Sequence, residues 1–364
     1  MEPLKHLLGA EAVEAIGRQL QRAWPAFDRP GFEAQALAGL DALPLKARAE
    51  HLADALQARL PARFDDCAAV LDTAMAGDDG LRGWALWPVG SVVSRHGLDH
   101  PERALRTLQR LTQGFTAEWA IRPFVLRHPE LVFGTLARWA SDPNEHVRRL
   151  VSEGTRPRLP WGERLQPLVQ DPSPSLPLLR TLQDDASEYV RRSVANHLND
   201  IAKDHPARLV DWLRQHLPGA SEHRRVLLRH ASRSLIKQGH PEVLDLWGVG
   251  AAWAGQARLD VAPHTLSLGG SLAITVTLVA SREAGPQRLL LDYAMHFRKA
   301  DGRLAPKVFK GWQRELQPGE RCVLTRQHPI KPISTRRYYA GEQGLVLLIN
   351  GQAEAQTRFT LQMP

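Results

Sequence analysis

The sequence predicts a multidomain chain, an all-α solenoid of HEAT-like helical repeats followed by an all-β sandwich of immunoglobulin-like size. Apolar residues recur every three to four positions as far as about residue 257 and alternate with period two beyond it. Short motifs return at intervals of 35–43 residues, the length of a stacked helix pair. A chain of 364 residues also exceeds what one core usually holds. The expected domains are residues 1–250 and 258–364, with a hinge at about 247–259 in the Gly- and Ala-rich "WGVGAAWAGQARL".

The helical half is read from faces and caps. "LPLKARAEHLADALQARLP" (43–61) puts Leu45, Ala49, Leu52, Ala53 and Leu56 on one face. His-Pro occurs at 100–101, 128–129, 205–206 and 240–241, each time before an apolar-periodic segment. Proline suits the first helical position, where its missing N–H is not needed. Val-Arg-Arg stands at 147–149 and again at 190–192, after the helix-start stretches "SDPNEH" and "DDASEY". "EHRRVLLRHASRSLIKQ" (222–238) reads as a third, degenerate copy. In the second half, "LDVAPHTLSLGGSLAITVTLVAS", "QRLLLDYAMHFRKADG", "CVLTRQHPI", "RRYYAGEQGLVLLING" and "QTRFTLQ" carry Gly-Gly, Asp-Gly and Asn-Gly turns. They predict seven or so short strands. No Cys-Trp-Cys pattern of the antibody type is present.

Charge is unevenly spread. Residues 1–100 carry 10 Lys+Arg against 14 Asp+Glu, residues 101–240 carry 22 against 15, and residues 241–364 carry 15 against 10. The basic surplus therefore starts near residue 101, and arginine supplies 20 of the 22 middle cations. Arginine's planar fork suits phosphate, which makes nucleic acid the leading partner. A genome that favours arginine codons gives the same bias.

Several chemistries lack their residues. Cys67 and Cys322 form neither a disulfide framework nor a zinc spacing, so a reducing cytoplasm is expected. There is no Walker A loop, no strand-linked GxGxxG, no HExxH and no GxSxG. Neither metal nor cofactor is expected. The N-terminus lacks the apolar core of a secretory signal, and no run approaches the ~18 apolar residues of a membrane span.

"VRRLVSEGTRPRLPW" (147–161) sets the functional question. Glu153 stands at a helix end, before Gly154, among Arg148, Arg149, Arg156 and Arg158. The helix dipole disfavours an acid there, and Gly154 reads as a C-cap glycine. Glu153 is either functional or half of a surface ion pair with Arg149. With Val147 and Val190 as common register, Glu153 lies at 240° and Asp200 at 280°, about 40° apart at 100° per residue. Asp200 also fits a solvated face with Asn196, Asn199 and Lys203. Glu118, in "TAEWAIRPF", also fits a first-turn acid after an N-cap Thr116. Trp161 is either a packing residue or an exposed platform. Tyr338 and Tyr339 beside Arg336 and Arg337 are either an ordinary strand or a basic-aromatic patch that contacts nucleic acid.

"WASDPNEHVRRLVSEGTRPRLPW" (139–161), "YVRRSVANHLNDIAKDHP" (189–206) and "LIKQGHPEVL" (235–244) resemble the AlkC branch of the AlkC/AlkD-like HEAT-repeat DNA alkylation-repair glycosylases. The likeness extends over roughly residues 1–250, and the second half resembles the immunoglobulin-like module of a subset of that branch. The resemblance implies a monofunctional glycosylase that hydrolyses the N-glycosidic bond of cationic alkylated bases in duplex DNA, chiefly 3-methyladenine and 3-methylcytosine. It implies action without flipping the base into a tight pocket. At the matching positions, Glu118, Glu153 and Asp200 are the acidic cluster near the lesion and Trp161 is its aromatic neighbour.

Elementary chemistry agrees with that role. An N3-alkylated base is already cationic and leaves without protonation. The enzyme needs a carboxylate to stabilise the oxocarbenium-like sugar and position water, and an indole face attracts the cation. Arg148, Arg149, Arg156, Arg158, Arg191 and Arg192 are candidates for backbone contacts, as are Arg336 and Arg337 in the second domain. A DNA-gripping role is expected of that domain. The chain is expected to be a cytoplasmic monomer, at the nucleoid when acting and not at a membrane. The alternative is a non-catalytic HEAT-repeat scaffold that binds nucleic acid or protein.

Overall fold

A computed structural model describes residues 4–334 and 336–363. Among them, sixteen α-helices fill the chain as far as Leu246 and eight strands run from Gly255 to Gln362. The change of texture near residue 257 is thus a change from helix to strand. The chain divides into two compact units, Met1–His205 with Ala220–Ala231, and Pro206–Gly219 with Ser232–Pro364. No described helix is long and apolar enough to cross a membrane.

In the first unit, the helices Ala10–Ala23, Phe64–Ala74, Pro101–Gly114, Glu145–Gly154, Glu188–Asp204 and Glu222–Ala231 form a row, each packed against the next. The sequence motifs are the joints of this row. Val147 and Val190 are wholly buried between neighbours. Arg148 and Arg191 curl back onto the carbonyls that enter their own helices. Arg148 Nη1 donates to Asp142 O at 2.9 Å and Pro143 O at 3.0 Å, and Arg191 Nη1 donates to Asp185 O at 2.5 Å and Ala186 O at 2.8 Å. Asp142 and Asp185 each accept the N–H two residues on, from Asn144 and Ser187 at 2.8 Å, an Asx turn that aims the chain into the helix. Two of the His-Pro histidines tie back to earlier backbone carbonyls. His128 Nε2 lies 2.8 Å from Leu98 O, and His205 Nε2 lies 2.8 Å from Val169 O.

The second unit holds three helices, Pro206–His216, Arg233–Gln238 and Pro241–Leu246, and the sandwich. Its strands are β1 (Gly255–Ala262), β2 (Thr265–Ser267), β3 (Ser271–Ala280), β4 (Gln287–Arg298), β5 (Leu304–Leu316), β6 (Arg321–Pro329), β7 (Gly341–Ile349) and β8 (Gln352–Gln362). One sheet has the order β1-β3-β6 and the other β2-β8-β7-β4-β5. Leu272, Ile274, Val276 and Leu278 alternate inward from β3 and share a core with Leu289, Leu291 and Met295 of β4. Asn350 (φ 50°) and Gly351 (φ 80°) form the two-residue loop from β7 to β8, the left-handed pair that such hairpins need.

Candidate active site

The last four carbonyls of an α-helix lack partners inside it, and in the Glu145–Gly154 helix each finds one. Thr155 Oγ1 donates to Val151 O at 2.7 Å and Ser152 O at 3.3 Å. His197 Nδ1 lies 2.9 Å from Ser152 O, so Nδ1 carries the proton. The backbone N–H groups of Thr155 and Arg156 reach Glu153 O. Arg122 Nη1 donates to Gly154 O at 3.0 Å. The helix end therefore closes inside protein, with Arg122 and Arg156 beside the negative pole of its dipole. Gly154 is not the left-handed cap that its position suggests. It is the last helical residue, without a positive φ. A Cβ there would come 2.7 Å from Ile121 Cγ2, so the glycine serves close packing.

The three acids picked from the sequence lie in one alternating chain of charges. Arg149 Nη1 pairs with Glu118 Oε2, and its Nη2 lies 3.5 Å from Glu153 Oε1. Arg156 Nη1 donates to Glu153 Oε1 at 2.6 Å and its Nε to Asp200 Oδ2 at 2.8 Å. Lys203 Nζ closes the chain on Asp200 Oδ1 at 2.8 Å. Ser193 Oγ donates to Glu153 Oε2 at 2.6 Å. Glu153 is 5% exposed and Asp200 1%. Asp200 and Asn199 thus belong to a packed face, not the solvated one that the i, i+3, i+4, i+7 pattern allows. Glu153 does pair with Arg149 at i−4, but in the interior rather than at the surface. Glu118 stands in a turn ahead of the Arg122–Arg127 helix, not in a helix's first turn. Its Oε2 takes Thr116 Oγ1 at 2.6 Å and Arg149, while Oε1 makes no hydrogen bond among the described residues.

Trp161 ends the segment that starts at the helix. It is 59% exposed and holds a φ of 62°, a left-handed conformation that a non-glycine residue keeps only under constraint. Its ring stacks near-parallel to Trp87 (6.4 Å, 8°) and leans on Trp119 (6.4 Å, 26°), while Trp87 and Trp119 stack at 4.5 Å. Trp119 Nε1 donates to Pro160 O at 3.3 Å. Beside this group runs a cleft of about 240 Å³, lined by Trp87, Trp119, Trp161 and Arg122 together with Glu50 and Ser91.

The remaining arginines are mostly occupied. Arg148 grips Asp185 at 2.7 and 2.9 Å, Arg158 grips Asp204 at 2.7 and 2.6 Å, and Arg192 meets Glu188 at 2.7 Å. Arg191 is held by the carbonyls already described. In the sandwich, Arg336 lies 4.1 Å above Phe297 and Arg337 lies 5.6 Å from the Tyr339 ring. Both line a cleft of about 700 Å³ that also gathers Lys299, Arg303 and Lys307 against one acid, Asp301.

A model of the family described as DNA alkylation repair enzyme matches residues 110–235, the stretch that carries the charge chain and Trp161. A second, described as the C-terminal Ig-like domain of uncharacterised protein YhaZ, matches residues 256–363. Over 361 residues the chain is 35% identical to protein YhaZ of Bacillus subtilis (strain 168), covering 99% of each. It matches the structure of Pseudomonas fluorescens alkylpurine DNA glycosylase AlkC bound to DNA containing an abasic site analog with a TM-score of 0.90. Identity is 34%, over 99% of this chain and 100% of that one. The chain belongs to the AlkC branch of the DNA alkylation-repair enzymes. Its architecture, helical repeats followed by an Ig-like sandwich, is that of the AlkC fold.

Around the charge chain and the indole stack stand five residues that sequence reading missed, Arg122, Ser193, His197, Trp87 and Trp119. Ser193, His197 and Asp200 stand at i, i+4 and i+7 of one helix, and all three are buried. That polar stripe inside an otherwise apolar face was a readable signal. Arg122 gave none, since its partners are carbonyls distant in sequence.

Proposed function

We propose that this protein is a DNA glycosylase that hydrolyses the N-glycosidic bond of cationic alkylated bases in duplex DNA, with 3-methyladenine and 3-methylcytosine as substrates. The observation that carries the reading is the joining of Glu118, Glu153 and Asp200, from three separate segments, through Arg149 and Arg156, with the strained Trp161 on the same segment as Arg156. Taking charges out of water costs several kcal/mol each, and pairing at best roughly repays it, so a core that keeps five of them close together points to a role besides stability. The likeness to an alkylpurine DNA glycosylase supports the chemistry.

Departure of a base that is already positive leaves an oxocarbenium-like sugar and needs no acid. Carboxylates facing the sugar lower that barrier by charge. Glu153 and Asp200 are buried with both oxygens committed to protein donors, which suits fixed charges that act through space rather than by contact. Glu118 keeps an oxygen free, which suits the acceptor of the water's proton. Trp161 offers an indole face to the cation, worth ~0.5–2 kcal/mol. The basic cleft of the sandwich supplies a second set of phosphate contacts. The test is release of methylated base from alkylated duplex DNA by wild type, Glu118→Gln, Glu153→Gln and Asp200→Asn. Losses of 10²-fold or more in the single-turnover rate are expected. Variants that all work at the wild-type rate overturn the mechanism, and a wild type that binds DNA but frees no base leaves the scaffold reading in its place.

A further inference from the structure

We propose that Arg122 is a positioning residue for base excision, acting through the 154–163 segment; the proposal rests on the glycosylase reading above. Its side chain is 1% exposed and so does not reach DNA. It makes no ion pair among the described residues. Instead it donates to three carbonyls, Gly154 at 3.0 Å, Arg156 at 2.9 Å and Glu163 at 2.7 Å from Nε, with Nη2 on Glu163 as well. Those carbonyls stand at the two ends of one segment. At its start, Arg156 bridges Glu153 and Asp200. Near its end, Trp161 holds its left-handed φ on the indole stack.

A buried cation without a carboxylate is costly. Here burial lowers the Arg122 pKa to about 10, which still leaves the group charged at neutral pH. The helix end and the carbonyl dipoles offset part of that cost. What the arrangement provides is a clamp. One rigid fork ties both ends of the segment, so the carboxylate bridge and the aromatic face keep a fixed separation. Lysine retains the charge, but its three donors sit on one nitrogen and cannot span the two ends.

The experiment compares Arg122→Lys with wild type in two separate measurements, single-turnover excision from alkylated duplex and affinity for the same DNA. The expected result is a rate lower by about 10²-fold, the scale of an ångström-level misplacement, with affinity changed less than about 3-fold, since a group that never touches phosphate leaves binding largely alone. In a Trp161→Ala background, the loss from Arg122→Lys should shrink several-fold, because coupled residues are not additive. Arg122→Gln, which carries an amide donor and no charge, is read the same way if the lysine variant does not fold. An unchanged rate, an equal loss in both backgrounds, or an affinity that falls with the rate overturns the proposal. So does unfolding of both variants, which makes Arg122 a fold residue only. Wild type that frees no base overturns the glycosylase reading itself, whereas wild-type excision with an unaffected lysine variant overturns this inference alone.

Discussion

Glu153 has its partners inside the protein, and their chemistry dictates what its loss would do. Arg156 and Ser193 meet its two oxygens at 2.6 Å each. Glutamine keeps the shape but turns one acceptor into a donor that faces a guanidinium or a hydroxyl. Glu153→Gln is therefore expected to lower stability by about 1–3 kcal/mol, read as a urea midpoint, besides its effect on excision. A midpoint equal to wild type would mean that the carboxylate contributes nothing to the fold. His197 gives a second expectation. It is wholly buried, its Nε2 has no partner, and burial pushes its pKa down to about 4. An unfolded histidine titrates near 6.5, so between pH 6.5 and 4 the unfolded chain binds the extra proton. Stability should be complete above pH 6.5 and fall by about 3 kcal/mol as the pH drops through that window. Unfolding free energies of wild type and His197→Gln across pH 4 to 7 check this, and curves of equal slope would sink it. Glu153 was legible in the sequence because it opposes a dipole. His197 was legible only as a polar position on a packed helix face, because its partner, Ser152 O, is linked to it by no spacing.

Among the elements, the Val-Arg-Arg repeat was readable, and the turn-closing role of its first arginine was not. The recurrence 43 residues apart marks two neighbouring helices of one row, and there the sequence argument succeeded because packing demands the same apolar position in each repeat. By residue type the arginines are candidates for DNA backbone contacts. Arg148 and Arg191 close the turns that enter their helices, a local role set by backbone geometry that residue type alone does not disclose. Gly154 is a similar case. A glycine at a helix end suggests a left-handed cap, but the crowding comes from Ile121, in the turn ahead of the Arg122–Arg127 helix. Gly154→Ala is expected to cost about 1–3 kcal/mol through overpacking, seen as a lower urea midpoint with an unchanged slope. An alanine variant as stable as wild type would show that Ile121 yields freely.

For the whole molecule, the net charge of +8 says less than where cations remain available. Composition put the basic surplus after residue 101, and arginine content made polyanion binding the natural expectation. In the helical unit, however, Arg148, Arg149, Arg156, Arg158 and Arg192 each hold a carboxylate. In the sandwich, Lys299, Lys307 and Arg337 line one cleft and make no ion pair among the described residues. A cation already paired at close range releases fewer counterions from DNA than a free one, because phosphate must compete with the carboxylate. If the sandwich cleft contacts the DNA backbone, replacing both Lys307 and Arg337 with Gln should flatten the slope of log K against log[salt] by about 1.8, at ~0.9 per phosphate contact. Replacing Arg158 and Arg192 should change it by less. Affinity should fall equally for alkylated and undamaged duplexes, because phosphate contacts carry no sequence or lesion information, and the single-turnover rate at saturating protein should hold. A slope that stays put in the Lys307 and Arg337 double variant would remove the sandwich cleft from the DNA interface and return the electrostatic role to the arginines of the helical unit.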